Sequence, residues 1–383
     1  METTVSSSSD TRITPFRIDV PQADLDDLRD RLARTRWGSE IPGTGWSRGV
    51  PVGYLKELAG YWAERFDWRE AEAELNGYPQ FTTEVDGQNV HFVHLRSDAP
   101  TAVPLLLIHD WPCSIVQFAD VIAQMAADFH VVVTSTPGTG FSGPLGEAGW
   151  TTGRIAGAFV ELMDRLGYRR YGVQGTGGGA WIAAEMGRQA PQRVLGVHLN
   201  GLVTFPSGDP AEFEGLTEAE QERLARLERF REDQMGFNAI QSTRPHTLAH
   251  GLTDSPVGQA AWIAEKFKEW TDPAAELPQD AVGLDRLLTN ISIYWFTGTA
   301  GSSANLYYES GHDASAWAPK PRGTVPTGVA VALPTDVAIR RFAERDHHIT
   351  HWSELPRGGN FLALEQPQDY IADVRTFFAS LDT

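Results

Sequence analysis

The stretch that most constrains this chain is Tyr171-Gly-Val-Gln-Gly-Thr-Gly177-Gly-Gly-Ala-Trp181, an apolar strand-like run that ends in packed glycines and restarts as a helix. Its centre, Gly175-Thr176-Gly177-Gly178-Gly179, has the small-x-nucleophile-x-small form of a nucleophile elbow. That turn is so sharp that its flanking positions tolerate little side chain, while its central position displays a catalytic group. Here the centre is Gly177, so the turn exists without the reagent it would present. Gly175, Gly177 and Ala180 also fit a dinucleotide-binding fingerprint, but the match lies mid-chain and the next strand-like run, Leu195 to Leu199, ends in Asn200 rather than an acid. A glycine turn without chemistry is the remaining reading.

The pattern around the turn sets the architecture. Val103-Pro-Leu-Leu-Leu-Ile-His109 and Phe129-His-Val-Val-Val-Thr134 are short, nearly continuous apolar runs, as strands covered on both faces require, and helical patterns separate them. Such alternation predicts a mostly parallel, doubly wound sheet. Ahead of it, Leu25, Leu28 and Leu32, then Leu55, Leu58 and Trp62, recur at helical spacing, and Val85 to Val93, broken by Asp86-Gly87, reads as a hairpin. From about Pro206 to Trp317 the chain turns helical and charged, as an inserted lid would, before strand-like Thr327 to Leu333 resumes the sheet. The expected division is a flexible tail over 1–12, an N-terminal meander over 13–96, a first core segment over 97–205, a lid over 206–317 and a second core segment over 318–383.

Charge and cysteine usage narrow the function. With 50 acidic residues against 32 Lys and Arg, a formal charge of -18 argues against nucleic acid and anionic membranes as partners. A single cysteine, Cys113, excludes an internal disulfide framework and a Cys-based zinc cluster, and it fits a reducing, cytoplasmic setting. No run is long enough to span a membrane, and Met1 to Asp10 is Ser-rich and polar rather than signal-like.

Several further motifs, in order, carry a resemblance: Phe16-Arg-Ile-Asp-Val-Pro21, Arg34-Thr-Arg-Trp37, His109-Asp-Trp-Pro112, Pro137-Gly-Thr-Gly-Phe-Ser142, Thr253-Asp-Ser-Pro256, Tyr294-Trp-Phe-Thr-Gly-Thr299 and Arg357-Gly-Gly-Asn-Phe361. From about Thr14 to Phe378 the chain resembles the epoxide hydrolase family of α/β-hydrolases, in the branch with an N-terminal meander. The resemblance implies an α/β-hydrolase fold and a covalent route, in which an aspartate attacks an epoxide carbon, two tyrosines protonate its oxygen, and a histidine paired with an acid activates water. Mapped onto this sequence, the aspartate position is Gly177 and the histidine position Asn360. The first lid tyrosine is Phe237, the second is Tyr307 (or Tyr308 with a one-residue slip), and the acid is Asp336. Glycine cannot form the ester, and an asparagine amide cannot accept a proton at neutral pH.

Two residues stand where the family has glycine, Asp110 and Cys113. Asp110 is a candidate acid or base if it faces the pocket, and a solvated loop carboxylate otherwise. Cys113 reads better as a small buried thiol than as a nucleophile. The resemblance also implies an oxyanion hole from the backbone N–H groups of Gly178 and Trp111, donors that could hold a substrate enolate or phenolate. Asp336, without its histidine, is expected to accept a hydrogen bond from Asn360. His250, His347 and His348 are candidate replacement bases. No metal site is evident, no cofactor is called for, and Trp262, Trp270 and Trp295 would suit a flat aromatic small-molecule ligand in a chain free to self-associate.

These features lead to the expectation of a non-hydrolytic tailoring enzyme on an epoxide-hydrolase-like scaffold. A cofactor-independent oxygenase of aromatic polyketides (anthraquinone or enediyne type) in antibiotic biosynthesis comes first. A carbon–carbon coupling, Michael-addition or cyclising enzyme comes next, then a catalytically dead binding protein, and last hydrolysis by water that Asp110 activates directly.

Overall fold

The structure, a computed structural model, describes residues 11–314, 318 and 320–381. Most of the expected N-terminal tail and the lid's expected last residue, Trp317, lie outside the described residues.

Nine strands form one sheet: β1 (Thr14–Phe16), β2 (Gln80–Val85), β3 (Gln88–Leu95), β4 (Val103–Ile108), β5 (Phe129–Thr134), β6 (Tyr171–Thr176), β7 (Val194–Asn200), β8 (Pro326–Ala332) and β9 (His348–Leu355). Their order is β1-β2-β3-β5-β4-β6-β7-β8-β9. β1 to β3 pair antiparallel, β3 meets β5 antiparallel, and every pairing from β5 to β9 is parallel. The fold is that of the α/β-hydrolases. β4 shows why its sequence is uniformly apolar: Leu106 and Ile108 pack into the core on one face, Leu105 and Leu107 into the core on the other, all four fully buried. Each such side chain contributes about 1.5–3 kcal/mol of burial. β9 carries no such signal, since His348, Thr350 and Glu354 interrupt it as an edge strand allows.

Helices between β7 and β8 cover the carboxyl ends of the strands. Among them Pro256–Trp270 and Leu284–Thr297 pack Ile263, Phe267, Leu287 and Leu288 against Leu58 and Trp62 of the N-terminal helix Val52–Glu64. Trp62 Nε1 donates to Ser292 Oγ at 2.9 Å, so the meander and the lid share one core. No helix among the described residues is long and apolar enough to cross a membrane.

β6 runs into the helix Gly178–Gln189 through Gly177, whose φ of 50° and ψ of −113° lie where L-residues are strained. A Cβ on Gly175 would lie 2.2 Å from the carbonyl oxygen of Gly179, so this turn closes only around glycine. It stands beside the loop that leaves β4.

Candidate active site

A cavity of about 1560 Å³ lies between the strand ends and the lid, and the glycine turn opens into it. The side chain that fills the turn's central position comes from the neighbouring loop. A Cβ built on Gly177 would fall 2.1 Å from Asp110 Oδ2 and 2.4 Å from its Cγ, so the Asp110 carboxylate occupies the volume a side chain at 177 would need. Gly178 N–H donates to Asp110 Oδ1 at 2.6 Å and Asn360 Nδ2 donates to Oδ2 at 2.7 Å, with the Trp111 N–H as a further donor. Burial pushes the Asp110 pKa up to about 6, against the lowering pull of these three donors.

The loop is held from below. Asp110 N–H donates to Gln117 Oε1 at 3.0 Å. His109 Nε2 accepts the Thr136 N–H at 3.2 Å, which leaves the proton on Nδ1 to donate to the Asp110 carbonyl at 3.0 Å. Burial lowers the His109 pKa to about 4, so this imidazole is a neutral strut.

Asn360 is fixed from both sides. Its N–H donates to the Trp270 carbonyl at 2.8 Å, and its own carbonyl accepts from Asn200 Nδ2 at 3.1 Å. The other end of the Asn200 amide, Oδ1, accepts from Gln174 Nε2 and Thr176 Oγ1, both at 2.8 Å, just ahead of the turn. Glu365, nearly buried, accepts the N–H of Phe361 at 3.1 Å and of Asp272 at 2.8 Å, and the Gly359 N–H also reaches it. It therefore grips the backbone on both sides of Asn360 and ties that loop to the end of the lid helix. Burial raises the Glu365 pKa to about 8. Asn200, Asp272 and Glu365 escape sequence reasoning as site residues. Only Asn200 left a trace, as a polar residue at a strand end.

Four rings wall the chamber. Trp111 and Phe237 stack at 5.4 Å and 6°, and Tyr307 stands edge-on to both at 5.4 and 5.6 Å. Trp270 closes the fourth side, 5.3 Å from Phe237, and the buried Lys266 ammonium lies 4.9 Å over the Phe237 ring. Burial, reinforced by the charge of Asp110, holds the Tyr307 pKa well above its ordinary value, so Tyr307 keeps its proton. Tyr308 instead stacks on His312 at 4.0 Å and is partly exposed.

Asp110, Trp111, Gly177, Gly178, Phe237, Tyr307, Asp336 and Asn360 all line the cavity, but they do not work as the sequence suggested. Asp336 does not meet Asn360: its Oδ2 accepts the Ala332 N–H at 2.9 Å, while the Asn360 amide goes to Asp110. Burial lifts the Asp336 pKa to about 6. The Gly178 and Trp111 donors are taken by Asp110 rather than open to a substrate anion. His250 is exposed on the lid helix Pro245–Asp254 and is not among the lining residues. His348 is exposed at the start of β9, and His347, lowered to about 4 by burial, sits on the cavity wall near Asp346 and Arg188 rather than at the carboxylate. Cys113 is fully buried and its thiol is pushed far up by burial, which makes it inert.

Comparison with known proteins identifies the family and the fold. Residues 13–118 match the family described as the epoxide hydrolase N terminus, and residues 103–247 match the alpha/beta hydrolase fold. A Stigmatella aurantiaca homologue, provisionally named an epoxide hydrolase, is 41% identical over 96% of this chain and 85% of its own. Epoxide hydrolase 1 of Sus scrofa is 32% identical over 98% of this chain and 91% of its own. The crystal structure of juvenile hormone epoxide hydrolase from Bombyx mori superposes with a TM-score of 0.90 at 30% identity, covering 98% of this chain and 96% of that one. These full-length relatives are named as hydrolases. They overturn the expectation of a non-hydrolytic tailoring enzyme, whether oxygenase or carbon–carbon coupling catalyst, together with its polyketide and antibiotic setting and the binding-only reading. The geometry supplies the physical reason, because an oxyanion hole filled by the protein's own carboxylate is not free for an enolate or phenolate.

Proposed function

Because this chain belongs to the epoxide hydrolase family of the α/β-hydrolases, we propose that it opens an epoxide with water and that the carboxylate responsible is Asp110. In this reading the turn carries no nucleophile at Gly177 and the loop no imidazole at Asn360; one carboxylate entering from the β4 loop stands in for the first. The observation that carries the reading is the placement of Asp110 in the empty side-chain volume of Gly177, under the Gly178 donor.

Asp110 acts here as a general base. A water molecule beside Oδ2 attacks an epoxide carbon and gives its proton to the carboxylate. The carbon–oxygen bond of the ring breaks, and the departing oxygen takes the Tyr307 proton. Transfer of a proton from Asp110 to the tyrosinate, through solvent, resets the site. A base with a pKa of about 6 is better matched to this step than an ordinary carboxylate. An ester on Asp110 would instead need a second base to hydrolyse it, and the groups bonded to its oxygens, Gly178 N–H and Asn360 Nδ2, are both donors.

A single turnover of styrene oxide in heavy-oxygen water, with protein in excess, tests this. Label in the first diol formed, with no mass adduct on the protein, is the expected result. Unlabelled first-turnover diol with an ester at Asp110 overturns the general-base role, and an Asp110→Asn variant that hydrolyses as fast as wild type overturns the reading altogether.

A further inference from the structure

The cavity is larger than the reaction needs. Ligand sites usually occupy about 300–1,000 Å³, whereas this one has about 1560 Å³. Part of the lining comes from one helix, and much of the rest from the lid and from the loops after β4, β7 and β8. Gly178, Trp181, Ala184, Glu185 and Arg188 all line the cavity, at the spacing that places residues on a single face of the helix Gly178–Gln189. The helix therefore works as a ruler that starts at the reacting carboxylate. Trp181 lies four residues beyond Gly177, about 6 Å along the axis, and Arg188 a further seven residues on, about 10 Å more.

Trp181 is 47% exposed and lines the open side of the cavity. Phe205, in the loop after β7, is 39% exposed and lines the same wall, and the two rings stack at 6.4 Å and 29°. Two large rings held in register but left wet form a platform that gains stability when a flat apolar body covers them. At the far end the Arg188 Nε is buried with no partner among the described residues. Its Nη1 lies 3.6 Å from Glu185, a carboxylate that Lys320 also holds at 3.1 Å, and its Nη2 donates to the Asp346 carbonyl at 3.4 Å, so the guanidinium is partly paired and shares its one acid with a second cation.

We propose that this groove binds the body of the substrate, an elongated epoxide whose aromatic ring system sits about 6 Å from the oxirane on Trp181 and Phe205, with an oxygen acceptor reaching Arg188. The proposal rests on Asp110 marking the reaction centre, and it adds the class of molecule that the site takes.

The probes are 2-naphthyl glycidyl ether, its 6-carboxylate, and octyl glycidyl ether as a flexible control. Binding of the corresponding diols is measured by naphthalene fluorescence anisotropy and, for the octyl compound, by competition, so affinity is read without turnover. The naphthyl diol is expected to bind several-fold more tightly than the octyl diol. Trp181→Ala and Phe205→Ala should each lower its affinity by about 2-fold to 10-fold, the range for losing one ring contact, and Trp181→Phe should retain most of it. The 6-carboxylate should gain affinity in wild type and lose that gain in Arg188→Gln. Equal binding of naphthyl and octyl diols, or indifference of the naphthyl diol to both alanine variants, overturns the proposal. Tight, Trp181-dependent diol binding with no hydrolysis of any glycidyl ether would instead refute the hydrolase reading and leave the groove assignment standing.

Discussion

Exchanging the residues at positions 110 and 177 puts the carboxylate back on the turn, and the geometry fixes what should happen. Gly177→Asp alone forces a new Cβ to within 2.1 Å of Asp110 Oδ2 and 2.4 Å of Cγ, at a backbone with φ of +50°. Overpacking of this kind costs about 1–3 kcal/mol and the strained backbone about 1–3 kcal/mol, before the repulsion of two neighbouring carboxylates is counted. In Asp110→Gly/Gly177→Asp the clash and the repulsion vanish and only the backbone strain remains. The double variant should therefore be more stable than Gly177→Asp by about 1–3 kcal/mol, a favourable coupling of the size seen between touching residues. Activity should follow the same logic. Asp110→Gly removes the base, with a loss of about 10²-fold to 10⁴-fold. The exchange restores a carboxylate within reach of Gly178 N–H and Asn360 Nδ2, so it should recover at least about tenfold, or 1.4 kcal/mol of barrier. Guanidinium denaturation of the four proteins and chromatographic measurement of diol release form the complete cycle. If Gly177→Asp alone is as stable and active as wild type, or if the exchange is as inactive as Asp110→Gly, then Asp110 does not occupy the turn's side-chain position in the way described.

Four other outcomes follow from the same structure. Since Asp110 must be ionised to take a proton and its pKa is raised to about 6, kcat should climb as pH rises through that value and then stay level, because Tyr307, held well above its ordinary value, imposes no falling limb in the neutral range. The same shift has a stability sign: a folded pKa above that of a free carboxylate means that the Asp110 contribution is fully present below about pH 4 and is lost by about pH 6, on the order of 3 kcal/mol, and Asp110→Gly should lack this component in denaturation series at pH 5 and 7.5. Glu365→Ala releases the N–H groups of Gly359, Phe361 and Asp272 and loosens Asn360; the acid limb of the pH profile should move to higher pH as Asp110 loses a donor, whereas Glu365→Gln should largely restore it, and an unmoved limb in Glu365→Ala would show that Glu365 serves folding only. Cys113 should resist thiol reagents until the protein unfolds, and Cys113→Ala should leave turnover within about twofold, consistent with a buried thiol that packs like a small apolar side chain.

The sheet was legible in the sequence because its signal is local: β4 and β5 are apolar on both faces, and the turn after β6 announces itself by Gly175 and Gly179, where a Cβ would run into backbone. The orientation of Asp110 was not, because it depends on contacts spanning the chain. Asp110 meets Gly178 across 68 positions and Asn360 across 250, and no pattern near His109-Asp-Trp-Pro112 records either partner. The pairing of Asp336 with Asn360 failed for the complementary reason. An asparagine amide donates to whichever carboxylate its backbone places nearest, and the hold of Asn200, Trp270 and Glu365 on residues 359–361 aims it at Asp110. His250 misled because an exposed helical histidine and a catalytic one look alike in one dimension. The two departures at 110 and 177, which looked separate in the sequence, are one steric fact: a carboxylate at 110 leaves no room for a Cβ at 177, and a bare turn at 177 gives that carboxylate its donor and its place. Loss at the turn and gain in the loop therefore argue for a relocated reagent rather than for a scaffold that has abandoned its chemistry.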